Sequence, residues 1–243
     1  MHVESLAVRL RPRPMAEAAD LGVLLVRRHW RSVWAVFTPV YLVVAALALA
    51  SIEISVWLPS LLIFCAKPWL DRTLLFVLSR AVFGESTRLP DLLRQRAQVW
   101  WSDLLSTLIV ARLSPWRSYT QAVGQLEGQR GKARRQRRAQ LLRGKRAAAG
   151  AMHFVFAQVE IALSFAIMSL ALWFAPEGTR GDVGAWLWQT DAMGNNLLFA
   201  AVYALVVLVL EPFYVGAGFA MYLNRRVELE AWDVEQEFRR AFA

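Results

Sequence analysis

Residues 129–175 read QRGKARRQRRAQLLRGKRAAAGAMHFVFAQVEIALSFAIMSLALWFA, a dense run of cations that gives way to a long apolar stretch. From Ala151 to Ala175 the only charged side chain is Glu160. A helix needs roughly 20 such residues to cross the hydrocarbon of a bilayer, so this segment reads as a membrane span with its basic end held on the cytoplasmic side. Working outward, Val33–Ala50, Ile54–Ala66 and Leu197–Tyr222 have the same character. The stretch from Lys67 to Arg146 carries 17 of the 28 basic residues against five acids, and it lies between these runs. The charge asymmetry therefore gives an orientation as well as a class.

Composition agrees, with 57% hydrophobic residues and a mean hydropathy of +0.35 over 243 residues. The formal net charge of +9 is then explained by cytoplasmic retention and attraction to anionic lipid head groups, and nucleic acid is not expected as a partner. Cys65, the one cysteine, sits inside an apolar run and excludes an intramolecular disulfide. The first 32 residues are polar, with Arg9, Arg11 and Arg13, and no short apolar core precedes Val33; a cleaved secretory signal is not expected.

The chain thus reads as an all-α, polytopic helical membrane protein. About four transmembrane helices are expected, with interfacial or re-entrant helices on the cytoplasmic side. Residues 1–32 form an amphipathic cytoplasmic N-terminus lying on the membrane surface, and 33–52 the first span. A tight hairpin leads into 54–72, a second span bent at Lys67-Pro68 and continuing to 83. Residues 84–150 make a basic cytoplasmic insert with an interfacial helix at 97–113, too short in its apolar part to cross. The third span is 151–175, the periplasmic loop 176–195 and the fourth span 196–222. In that last span Gly216, Gly218 and Ala220 offer a small-residue face for close helix approach. Residues 223–243 form a cytoplasmic amphipathic helix in which Arg226–Glu230 and Glu235–Arg239 have ion-pair spacing. Both termini fall in the cytoplasm.

The chemistry-bearing residues are the ionisable groups inside apolar runs. At about 1.5 Å per residue, Glu160 and Glu211 lie some 14 Å and 17 Å from the cytoplasmic ends of their helices, at similar depth on neighbouring helices. A charge at mid-bilayer costs at least roughly 2.5–3.5 kcal/mol, so each carboxylate should face protein or water and find a partner. Lys67 is the nearest cation, with Asp71 four residues on, Arg72 nearer the cytoplasm, and His153 two turns below Glu160. Two readings follow: a polar cavity for proton relay or a cationic ligand, or a buried ion-pair network, Lys67–Glu160 or Lys67–Glu211, that fixes packing. The second is preferred, because no further sign of a pathway accompanies the carboxylates.

A second set, Arg130, Lys132, Arg134, Arg135, Arg137, Arg138, Arg143, Lys145 and Arg146, reads as a surface patch for acidic lipid or an acidic protein face. Gly124, Gly128 and Gly131-Lys132 do not make a phosphate loop, since Leu126 and Ala133 stand where glycine and a magnesium-binding hydroxyl are required. Three histidines without close Cys/His spacing offer no metal site, and no nucleophile–base pair suggests an enzyme or a cofactor.

The segment Gly218-Phe219-Ala220-Met221-Tyr222-Leu223-Asn224-Arg225-Arg226, followed by Glu228, Glu230, Trp232-Asp233 and Glu235, resembles a group of proteobacterial inner-membrane proteins. These are similar in outline to the membrane domain of some glycerophosphodiester phosphodiesterases. Asp71-Arg72, Ser79-Arg80-Ala81-Val82-Phe83-Gly84-Glu85, Gln125-Leu126-Glu127-Gly128 and Arg130-Gly131 extend the resemblance over most of the chain. It implies the bacterial inner membrane and a subunit of an envelope assembly, often encoded near MoxR-type ATPases. No phosphodiesterase domain is present, so that activity does not carry over. The expectation is a non-enzymatic scaffold or assembly subunit, with a small transporter or channel component as the alternative.

Overall fold

A backbone surrounded by lipid must satisfy its own hydrogen bonds, which makes helices of apolar runs. The structure, a computed structural model, describes residues 12–102, 114–187 and 193–230, and among these every regular element is helical. In chain order they are α1 (Met15–Arg28), α2 (Trp30–Ala50), α3 (Leu58–Ala81), α4 (Leu89–Arg94), α5 (Arg117–Gln125), α6 (Gly131–Leu142), α7 (Arg146–Trp173), α8 (Arg180–Leu187) and α9 (Met193–Glu230). Among the described residues three segments are long and apolar enough to cross a membrane: Trp30–Glu53, Arg146–Leu170 and Met193–Glu230.

The second expected span is α3, a single helix through Pro68, and it is the one that falls short on composition. Lys67, Asp71 and Arg72 interrupt its apolar run. The reason is visible in its surroundings: every residue from Leu70 to Leu78 is buried, so this part of the helix meets protein on all sides. A helix that sees no lipid there need not be apolar there. The expected tight hairpin joins it to α2 through the turn at Ser51–Glu53, where the Ile54 amide donates to the Ser51 carbonyl (3.0 Å).

The spine of the molecule is α9, whose 38 residues extend about 57 Å, well beyond the roughly 30 Å of bilayer hydrocarbon. Helices α1, α2, α3, α5 and α7 all pack on it. Sequence alone laid the N-terminal helix on a membrane surface, but α1 turns Met15, Ala18, Gly22, Leu25 and Val26 inward and lies along the second half of α9. Gly22 and Gly216 bring the two backbones together, and a Cβ at Gly22 would run into the Gly216 carbonyl. Gly218, two residues on and so turned to another side of α9, sits against Ser118 of α5. The two glycines do not share one face: they admit close neighbours on two sides of α9, α1 at Gly216 and α5 at Gly218. Asn224 locks the arrangement, accepting from the Arg13 amide (2.9 Å) and donating to the Arg13 carbonyl (2.8 Å).

Of the expected interfacial helix, residues 97–101 form one wide turn docked on α3, where Trp100 Nε1 donates to Thr73 Oγ1 (3.0 Å); residues 103–113 lie outside the described residues. The expected loop after the third span contains α8. Residues 223–230 simply continue α9, and 231–243, with the Glu235–Arg239 pair, are likewise outside. The Arg226–Glu230 pair forms, at 2.7 Å.

Candidate functional site

Four helices from distant parts of the chain bring five ionisable side chains together. From α3 come Lys67 and Asp71, one turn apart and so on one face. Each takes its partner from another helix. Lys67 Nζ lies 2.6 Å from Glu160 Oε2 of α7 and 2.9 Å from Glu211 Oε2 of α9. The remaining Glu211 oxygen, Oε1, accepts from Arg117 of α5 at 2.6 Å, and Arg117 Nε lies 2.7 Å from Asp71 Oδ2. The result is an alternating line, Asp71–Arg117–Glu211–Lys67–Glu160, with a carboxylate at each end.

Burial is graded along this line. Asp71, Glu211, Arg117 and Lys67 are 0%, 1%, 4% and 7% exposed, whereas the Glu160 side chain, on the outer helix, is 19% exposed. Removing charges from water costs several kcal/mol per ion, which is repaid only where each is paired and its remaining valences are met. The neighbouring side chains are themselves engaged, but both Asp71 oxygens and Arg117 Nε lack an aligned hydrogen bond. Tyr214 lies under the Arg117 guanidinium, 5.1 Å from ring centre to Cζ, and its hydroxyl meets His153 Nδ1 at 2.9 Å. Tyr41 of α2 donates to the Ala204 carbonyl at 2.7 Å.

Helix α5 is the element that sequence reading missed. All its residues from Arg117 to Val123 are buried although most are polar. Gln121 Nε2 donates to the Pro68 carbonyl and Gln125 Nε2 to the Arg72 carbonyl, both at 2.8 Å, so α5 is stitched to the bend of α3 as it delivers Arg117. The available signal was a polar nine-residue helix directly after Pro115-Trp116, with two glutamines one turn apart on the same face as Arg117. Arg72 does not join the line. Its guanidinium bonds the carbonyls of Val99 and Gln98 and the Ser102 hydroxyl.

The basic set divides in two. Arg137 of α6 holds Glu127 (2.8 Å) and Glu230, and Lys145 holds Glu228 (3.0 Å), while Arg225 donates to the Arg143 carbonyl (3.1 Å). These contacts fasten α6 to the acidic end of α9. Arg138 reaches Ser114 Oγ (3.3 Å), and the Arg134 guanidinium faces Gly124. Arg130, Lys132, Arg135, Arg143 and Arg146 remain exposed. Gly128 and Gly131 have φ of +66° and +55° and shape the turn between α5 and α6, which accounts for those glycines without a phosphate.

Over the described residues, fold and site define an all-helical protein with three helices long and apolar enough to cross a membrane and a buried ionic line. No protein-family model, curated protein or solved structure matches the chain. Among the described residues no group of three His, Cys, Asp or Glu side chains is arranged to hold a metal ion.

Proposed function

We propose that this protein is a non-enzymatic scaffold or assembly subunit of a bacterial cell-envelope complex, seated in the inner membrane with both termini in the cytoplasm. The observation that carries this reading is how the interior charges are used. They clamp α3, α5, α7 and α9 to one another, as a structural network does. In this reading α3 is the fourth crossing helix: it returns antiparallel to α2 and spans about 36 Å. An even number of crossings, with Arg130, Lys132 and Arg135 before the start of α7, supports a topology with both termini inside.

The exposed cations of the insert are the surface for anionic head groups and for an acidic face of another envelope protein, the MoxR-type ATPase system being the candidate that the family resemblance implies. The lateral surface is α7 rather than the glycines of α9, which α1 and α5 already cover. Reversing Arg130, Lys132 and Arg135 together to glutamate tests the reading. Helical content should be kept while the partner recovered by native pulldown is lost; an unchanged set of partners would refute it. Deleting Asn224 to Ala243 would be a poorer test, because Asn224, Glu228 and Glu230 anchor α1 and α6.

A small transporter or channel component is the second reading, favoured by one observation: the buried line holds three carboxylates against two cations. Proton or ion flux into liposomes, lost in Glu160→Gln, would support it.

A further inference from the structure

The ionic line has a surplus that its pairings do not remove. If all five groups are ionised it carries one net negative charge, in a position where an uncompensated charge costs several kcal/mol. The surplus can be located. Arg117 gathers Asp71 and Glu211 on one guanidinium, with Asp71 Oδ2 2.7 Å from Nε and Glu211 Oε1 2.6 Å from a terminal nitrogen. Two carboxylates gathered on one guanidinium still repel each other, and a proton held between them removes the repulsion.

Asp71 shows where the proton belongs. It is fully buried, and although Arg117 Nε is 2.7 Å away, no donor is aligned for a hydrogen bond on either of its oxygens. Glu211, by contrast, is contacted by Lys67 on one oxygen and Arg117 on the other. An acceptor with its cations in place and a neighbour with none aligned describe a carboxylate and a carboxylic acid. Every other charged or titratable group facing the pair has its own contact: Lys67 from α3, Tyr41 from α2, Glu160 and His153 from α7, and Tyr214 from α9. Arg72 is turned to the 97–101 turn.

We infer that the Asp71–Glu211 pair is a proton-binding site: at neutral pH Asp71 is a carboxylic acid that donates to the Glu211 carboxylate, and the line of five groups is electrically neutral. Glu160, the exposed end of the line, is its contact with the outside. The inference holds whether the protein is a scaffold or a carrier, since it concerns the resting charge of the interior.

Infrared spectroscopy of the purified full-length protein in detergent at neutral pH tests it. The wild type should show the carbonyl stretch of one protonated carboxyl. Asp71→Asn should remove that band and keep the wild-type thermal midpoint, because asparagine is the neutral isostere of the acid; Asp71→Glu should shift the band. Glu211→Gln should also abolish it, since Asp71 must then ionise to pair with Arg117. A wild-type protein without the band overturns the inference. So does a band that neither Asp71 variant moves, or a thermal midpoint that rises with sodium or potassium at constant ionic strength, which would make the missing charge an alkali cation. Should Asp71→Asn fail to fold, the wild-type band and its shift in Asp71→Glu decide the question.

Discussion

Helices α7 and α9 look alike in sequence and live in different surroundings. Both are long and apolar, with mean hydropathies of 1.6 and 2.2 over their most apolar windows, and each carries one glutamate at mid-length. Yet 6% of the α7 window is buried against 50% of the α9 window. Phe154, Val155, Phe165 and Trp173 of α7 face outward, and the helix touches the bundle mainly through α9 and the Lys67–Glu160 bridge. Around α9 the other helices assemble. Hydropathy reports that a helix can enter a membrane; it does not report whether lipid or protein surrounds it there. That is decided by small residues and by partners elsewhere in the chain.

The sharpest way to break the comparison is to neutralise the two glutamates in turn. Glu211→Gln removes the carboxylate shared by Lys67 and Arg117 and should cost about 3 kcal/mol of unfolding free energy, the scale expected when one member of a buried ionic network is lost. Thermal or denaturant unfolding in a single detergent would measure it. Gly22→Leu attacks the same helix from its other side by forcing α1 off the α9 backbone, and should cost about 2 kcal/mol, with protease sensitivity appearing near residue 28. Glu160→Gln should be milder, about 1 kcal/mol, because Lys67 keeps Glu211 and the site at Glu160 is partly open. Phe165→Ala, on the outer face of α7, should change stability by less than about 0.5 kcal/mol in detergent; a larger loss would mean that this face is packed.

Much of this was legible in the chain. The apolar runs mark α2, α7 and α9, the short spacing forces the α2–α3 hairpin, and helical rise alone puts Glu160 and Glu211 at one depth, with Lys67 as the available cation. What could not be read was anything that depends on a remote segment. Arg117 reaches the site because Gln121 and Gln125 find the carbonyls of Pro68 and Arg72, more than 50 residues away. The glycines of α9 announce close packing without saying that α1 supplies it. In the same way, a row of arginines gives no sign that Arg137 and Lys145 close on Glu230 and Glu228, so a patch that looked continuous is partly interior glue.

The role of Glu211 as the hub of the molecule rests on its contact with Arg117, and a double-mutant cycle on that pair measures it. Unfolding free energies of wild type, Arg117→Met, Glu211→Gln and the double variant should give a coupling of about 2 kcal/mol, toward the upper part of the range for residues in one ionic network. A coupling indistinguishable from zero would mean that α5 and α9 are held together by packing alone, and that the buried line is not what organises the fold.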